Sequence, residues 1–226
     1  MKRKILFSII FTILGLIAFQ ISISHIIGSS QNFTLFELLG PVGGMFLGPI
    51  LGAASAFVVY SLNIFIFHKS LDFLTMALVL PPMLAAVYFG LKQKKTAIIF
   101  PICIVLFLLN PIGRQAWMYS MIWLIPFIAT FFKRRLILNS LGATFTAHAV
   151  GSVIFLYSFG LTPAIWMALI PVVFIERGVF TLGIWISCLA LNTVLDKLTN
   201  LKIVSFLKPL VNQNYLISQK FFKSFA

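Results

Sequence analysis

TLFELLGPVGGMFLGPILGAASAFVVYSLNIFIF, residues 34–67, is one unbroken apolar run, nearly twice the roughly 20 residues that a single membrane-spanning helix takes. Pro41 and Pro49, each preceded by a glycine, interrupt it. A proline inside a helix removes a hydrogen bond and crowds the preceding turn, so the run reads as two short helices. Flanking charge tests that split. Lys2, Arg3 and Lys4 precede the first apolar run, about residues 5–27, and Lys92, Lys94 and Lys95 follow the run at 74–91. Lys and Arg beside spans gather on the cytoplasmic side, so an even number of spans must separate the two clusters. With residues 34–67 taken as a pair, four do.

The same parity holds further on. Residues 96–109 and 115–132 form a hairpin around the turn-forming sequence Asn110-Pro111-Ile112-Gly113, and the cluster Lys133-Arg134-Arg135 follows. Residues 138–157 run outward and 164–195 return to a basic tail with Lys197, Lys202, Lys208, Lys220 and Lys223. The last run contains Pro171 and Glu176-Arg177-Gly178, so it reads either as one kinked, tilted helix or as a broken one. The expectation is an all-α, polytopic transmembrane bundle of six to eight spans over residues 1–197. A basic cytoplasmic tail, 198–226, with the composition of an interfacial helix completes it. Both termini are expected on the cytoplasmic side of a cell membrane crossed several times.

Composition supports a lipid-covered chain. Of its 226 residues 61% are hydrophobic and 9% charged, and the mean hydropathy is +1.08, which leaves too little polar surface for a water-soluble globule of this length. The net charge of +13 comes from clusters between apolar runs, the pattern that faces cytoplasm and anionic lipid, and no nucleic-acid partner is expected. Cys103 and Cys188 lie inside apolar runs without metal or disulfide spacing. The basic start and first apolar run lack a cleavage site after them and read as an uncleaved signal anchor. Phosphate-binding loops, His-Glu-x-x-His, Cys-x-x-Cys and Gly-x-Ser-x-Gly are missing. The expectation is a protein that is no enzyme and takes no cofactor and no metal.

Several residues stand out against this background. Gly40, Gly44, Gly48, Gly52 and Ala56 recur every four residues, a ladder that lets another backbone approach closely, inside the bundle or from a partner. Glu37, with Thr34, forms Thr-x-x-Glu at the start of the run, read as a capping box or as the wall of an outward pocket. Glu176 and Arg177 are costly within an apolar run and need partners; Arg114 and Lys197 are candidates for Glu176. Asn110, Arg114, Gln115, Trp117, Tyr119 and Trp123, in NPIGRQAWMYSMIWLIP, read either as an interfacial aromatic belt with a snorkelling arginine or as an outward cup in which Arg114 and Gln115 hydrogen-bond and the rings stack on a flat ligand. His148, one turn before Ser152, reads as an interhelical hydrogen-bonding group or a ligand contact.

Residues 33–63, with Gly-Pro pairs at 40–41 and 48–49 and Gly-x-x-x-Gly spacing, resemble the substrate-binding S components of energy-coupling factor (ECF) vitamin transporters. The resemblance covers about the first 90 residues. It implies an outer loop after the first helix, then a short helix pair beside an outward-facing site, on a chain with no ATPase of its own. Its implied partners are a transmembrane coupling protein and two cytoplasmic ATPase subunits.

The leading functional expectation is therefore a membrane-embedded substrate-binding subunit for uptake of a vitamin-like small molecule, with separate energising subunits. Its pocket would draw on Glu37, Asn110, Arg114, Gln115, Trp117, His148 and Glu176. The alternative is a membrane scaffold or assembly protein of the cell envelope that uses the glycine ladder as its partner surface. An intramembrane enzyme with His148 and Glu176 as acid and base is a third reading.

Overall fold

A computed structural model describes residues 2–27, 31–91, 94–132, 135–201 and 204–217. Twelve α-helices are described: α1 Lys2–Phe19, α2 Phe36–Leu39, α3 Val42–Leu47, α4 Pro49–Ile66, α5 Phe73–Ala77, α6 Leu80–Gly90, α7 Ile99–Leu109, α8 Pro111–Gln115, α9 Trp117–Met121, α10 Leu124–Ala129, α11 Leu136–Ser158 and α12 Pro163–Asn200. Short 3-10 segments occupy Lys94–Ile98, Thr130–Phe132, Ser205–Leu210 and Gln213–Tyr215. The all-α expectation holds with one exception. Strands β1 (Ser22–His25) and β2 (Asn32–Thr34) pair as a small antiparallel hairpin between α1 and α2.

Among the described residues four helices are long and apolar enough to cross a membrane: Pro49–Ile66, Phe73–Gly90, Leu136–Ser158 and Pro163–Asn200. That is fewer than the six to eight expected, and the reasons are local. Apolar helices at Phe36–Leu47, Lys95–Leu109 and Trp117–Phe132 fall short of full length, and α1 opens with three cations that shorten its apolar stretch. The division of residues 34–67 is clear: Gly48, at φ +86°, ends α3 in backbone that only glycine adopts freely, and Pro49 starts α4 at the position where its missing N–H costs nothing. The final run is not broken. α12 continues through Pro171 for 38 residues, about 57 Å at 1.5 Å per residue.

Contacts between elements fix how the main helices run. Lys4 Nζ donates to the Leu47 carbonyl (3.1 Å), while Phe19 at the far end of α1 meets Tyr60 (centroids 4.8 Å), so α1 and α4 run parallel. Gly90 at the end of α6 sits against Gly44 and Pro49. α11 then runs back along α6, with Asn139 Nδ2 donating to the Phe89 carbonyl (3.1 Å) and Gly151 reaching Pro81. α12 descends with Gly183 on Leu38 and Cys188 on Met45. The bundle thus has a basic end, with Lys4, Lys95, Arg135, Lys197 and Lys208, and a hairpin end with Lys69 and Arg114. Of the basic clusters, Lys92, Lys133, Arg134, Lys202, Lys220 and Lys223 lie outside the described residues.

Small residues set the closest approaches. A Cβ on Gly44 would run into the Ala86 carbonyl, and one on Gly52 would stand 2.7 Å from the Gly44 Cα. The glycine ladder is thereby divided. Gly44 and Gly52 join α3, α4 and α6 inside the chain, Gly40 faces the ring of Phe36, and Gly48 makes the break. Around this seam the core is aromatic, with Phe11, Phe100, Phe107, Tyr88, Trp123 and Trp166 buried. Outward faces are apolar too: Ile5, Ile9, Ile13 and Ile17 form an exposed stripe at four-residue spacing on α1.

After Asn200 the chain turns back along α12. Asn192, fully buried, donates to the carbonyls of Asn212 and Tyr215 (2.8 Å each) and accepts from the Asn212 N–H (2.9 Å). Leu207 enters the core. In place of an interfacial helix, the described part of the tail is a docked segment with two 3-10 turns.

Candidate functional site

Near the hairpin end the helices separate around a cavity of about 130 Å³. An engineered cavity of about 150 Å³ admits benzene, so the enclosed space suits a ligand of about one ring. Glu37 enters from α2, Tyr60 from α4, Pro81 and Pro82 from α6, and Tyr119 from α9. His148 and Ser152 enter from α11, and Trp166, Glu176 and Arg177 from α12. Ile26, Asn32 and Phe33 of the hairpin segment close it on one side, where His25 Nδ1 and Asn32 Oδ1 meet at 2.9 Å across the two strands.

Helical period explains which side chains face inward. On α11 His148 and Ser152 are four residues apart and lie on one face. Tyr119 bonds both: its hydroxyl stands 3.0 Å from His148 Nε2 and 3.1 Å from Ser152 Oγ. Trp123, one turn after Tyr119, donates its indole N–H to His148 Nδ1 (3.1 Å). An indole N–H can only donate, so Nδ1 holds a lone pair and the imidazole proton sits on Nε2. Nε2–H then donates to the Tyr119 oxygen, and the Tyr119 hydroxyl is free to donate to Ser152.

Arg177 is the buried cation of the site, with its side chain 2% exposed. Its Nη2 pairs with Glu176 Oε2 at 3.2 Å, Nη1 reaches Thr144 Oγ1 at 3.4 Å, and its Nε has no hydrogen-bond partner. Phe33 and Phe180 lie 4.8 and 4.4 Å from the guanidinium carbon, within the range of cation–π attraction. Arg177, rather than Arg114 or Lys197, is thus the partner of Glu176: a long side chain folds back along its own helix although adjacent residues point about 100° apart.

Glu37 does not complete a capping box. Thr34 belongs to β2 and leaves its buried Oγ1 without a partner, and the residue before α2 is Leu35. Glu37 instead faces the cavity within electrostatic reach of Arg177 and Tyr60. Among the described residues none donates a hydrogen bond to its carboxylate.

Three of the seven expected binding residues, Glu37, His148 and Glu176, therefore converge. The other four lie elsewhere. Asn110 caps α8 by accepting from the Ile112 N–H (2.9 Å), Arg114 and Gln115 are exposed, and Trp117 is 53% exposed. Arg114 donates only a long 3.4 Å bond to the Leu108 carbonyl. Tyr60, Trp166 and Ser152 are not among the expected binding residues, and Tyr119, expected on the outer turn, belongs to the cavity instead. For Tyr119 a signal was present: Ala116, Tyr119, Ser120 and Trp123 share one helical face and are all buried, which turns Trp117 and Arg114 outward. Among the described residues no group of three His, Cys, Asp or Glu side chains stands close enough to hold a metal ion.

Fold and site together define a class: a predominantly helical bundle, with four helices among the described residues long and apolar enough to cross a membrane and a polar and aromatic pocket near one end. No family model and no solved structure matches the chain. The chain is similar to an uncharacterized protein of Methanocaldococcus jannaschii, 28% identical over a 207-residue alignment that covers 79% of this chain and 68% of that protein.

Proposed function

We propose that this chain is a membrane-embedded substrate-binding subunit, which takes up a vitamin-like small molecule and works with separate energising subunits. The observation that carries the reading is the convergence of Glu37, His148 and Glu176, from three different helices, on one cavity at the end of the bundle opposite Lys4. With the basic end cytoplasmic, as the positive-inside rule asks, both termini face the cytoplasm and the cavity faces outward under the hairpin. With the shorter helices included, the chain passes the bilayer six to eight times. Resemblance of residues 33–63 to the S components of ECF transporters supplies the partners, a transmembrane coupling protein and ATPase subunits.

The scaffold alternative loses support at the glycine ladder, because Gly44 packs against α6 and Gly52 against α3 of the chain itself. One experiment separates the two. The affinity-tagged chain is solubilised in mild detergent from its own host, its protein partners are identified, and bound small molecules are read by native mass spectrometry. Recovery of a coupling protein with ATPases, and a small molecule that is lost in His148→Ala, is the expected result. Recovery of envelope-building enzymes with no bound small molecule overturns the proposal.

A further inference from the structure

The chain carries +13 overall and holds only four acidic residues, Glu37, Asp72, Glu176 and Asp196. Both glutamates line the same cavity, and Arg177 is the one Lys or Arg among the residues that line it. Two carboxylates against one guanidinium leave a formal charge of −1 in a pocket of a strongly basic protein, with His148 kept neutral by the Trp123 N–H on its Nδ1. Arg177 pairs with Glu176 through Nη2 and lies over the rings of Phe33 and Phe180, with its Nε left unpartnered. Glu37, within electrostatic reach of Arg177, receives no hydrogen bond from the described residues.

An isolated carboxylate out of water is costly unless something pairs with it. A carboxylate only accepts, and the described residues offer Glu37 no donor. The walls around it are aromatic: Tyr60 and Tyr119 line the space with Trp166, whose ring packs edge-on against Tyr119 at 4.9 Å between centroids. Aromatic faces attract cations and repel anions. An anion here would meet two carboxylates against the unpartnered N–H groups of Arg177 Nε and Trp166 Nε1, whereas a cation meets two carboxylates, one of which no described residue hydrogen-bonds, and several aromatic rings. A cavity of about 130 Å³ restricts the occupant to about one ring.

We infer that the pocket takes a small organic cation, one ring or a short chain bearing a protonated amine or amidine, with its N–H groups on Glu37 and its apolar body among Tyr60, Tyr119 and Trp166. The inference rests on the ligand-binding reading above and adds the charge class of the ligand.

Three probes of one shape and different charge test it: benzylammonium, benzyl alcohol and benzoate, titrated by calorimetry into the full-length, detergent-solubilised chain stripped of bound small molecules. Benzylammonium is expected to bind at least about tenfold tighter than benzoate, a difference of about 1.4 kcal/mol. Glu37→Gln should remove that preference and leave benzyl alcohol binding within about threefold, which also reports that the variant is folded. Benzoate binding as well as or better than benzylammonium overturns the cationic assignment while leaving a ligand pocket in place. Unchanged benzylammonium affinity in Glu37→Gln overturns it equally. Failure of all three probes to bind the parent chain overturns the inference together with the binding role of the cavity.

Discussion

The indole N–H of Trp123 donates to Nδ1 of His148 across 3.1 Å, and this one bond orders the polar network on the wall of the cavity. Because tryptophan cannot accept, the tautomer of His148 is fixed, and with it the direction of the bonds to Tyr119 and Ser152. Trp123→Phe keeps the ring and removes the donor. A buried acceptor left without a partner costs about 1–3 kcal/mol, so the variant should unfold that much more easily in a denaturant titration. The nitrogen-15 spectrum of His148 should show a single Nε2–H tautomer in the parent chain and a mixture in the variant; a mixture in the parent contradicts the network.

Arg177 should be among the least replaceable residues of α12. Arg177→Ala leaves Glu176 and Glu37 on the cavity without a cation, and because the pair is only part-buried the loss should fall below the about 3–5 kcal/mol that a fully buried pair costs. Arg177→Lys restores the charge without the planar face that lies against Phe33 and Phe180. An intermediate loss of thermal stability is expected for the lysine variant. Equal stability of Arg177→Lys and the parent chain would remove the stacking from the account.

Glycines that look alike in sequence should respond in opposite directions. Gly44→Ala drives a methyl into the Ala86 carbonyl and should destabilise by about 1–3 kcal/mol, as overpacking does. Gly178, next to Arg177, is exposed and would meet nothing within 4 Å, so Gly178→Ala should gain up to about 1 kcal/mol from helix propensity. Melting temperatures of the two variants in one detergent decide this; a shift of the same sign in both is the contrary result.

Asp72 lies outside the long apolar helices and caps α5. It accepts from the Thr75 N–H (2.7 Å) and from the Ser70 hydroxyl (2.9 Å), and the Thr75 backbone bond, with the others, holds its carboxyl below the ordinary aspartate range. A depressed folded-state pKa means that the cap contributes above the unfolded value and is lost as pH falls through the folded one. The Thr75 amide proton signal should therefore move with Asp72 protonation only below about pH 4, the ordinary aspartate value, and should not titrate there in Asp72→Asn.

Mutation of the outward residues supplies a negative control for the site. Arg114→Ala and Trp117→Ala change groups that stand on the surface away from the cavity and should leave small-molecule retention unchanged, whereas His148→Ala should abolish it. Loss of retention in Arg114→Ala would return the site to the outer turn around Asn110.

Sequence alone determined the helical class, a division of residues 34–67 at a Gly-Pro pair and the break at Asn110-Pro111, because apolar periodicity, proline's missing N–H and glycine's access to positive φ are properties of a few adjacent residues. It also singled out Glu37, His148 and Glu176, since ionisable and polar groups in apolar runs are costly wherever they end up. It did not reveal which of them meet. Only the tertiary structure turned Tyr119 inward and Arg114 outward, gave Glu176 its partner in Arg177, dissolved the Thr34–Glu37 capping box in favour of a strand, and filled the groove at Gly44 with α6. Those outcomes depend on which faces of distant helices come together, and that is set by packing between segments far apart in sequence, as in Tyr119 with His148, 29 residues apart, and Met45 with Cys188, 143 apart.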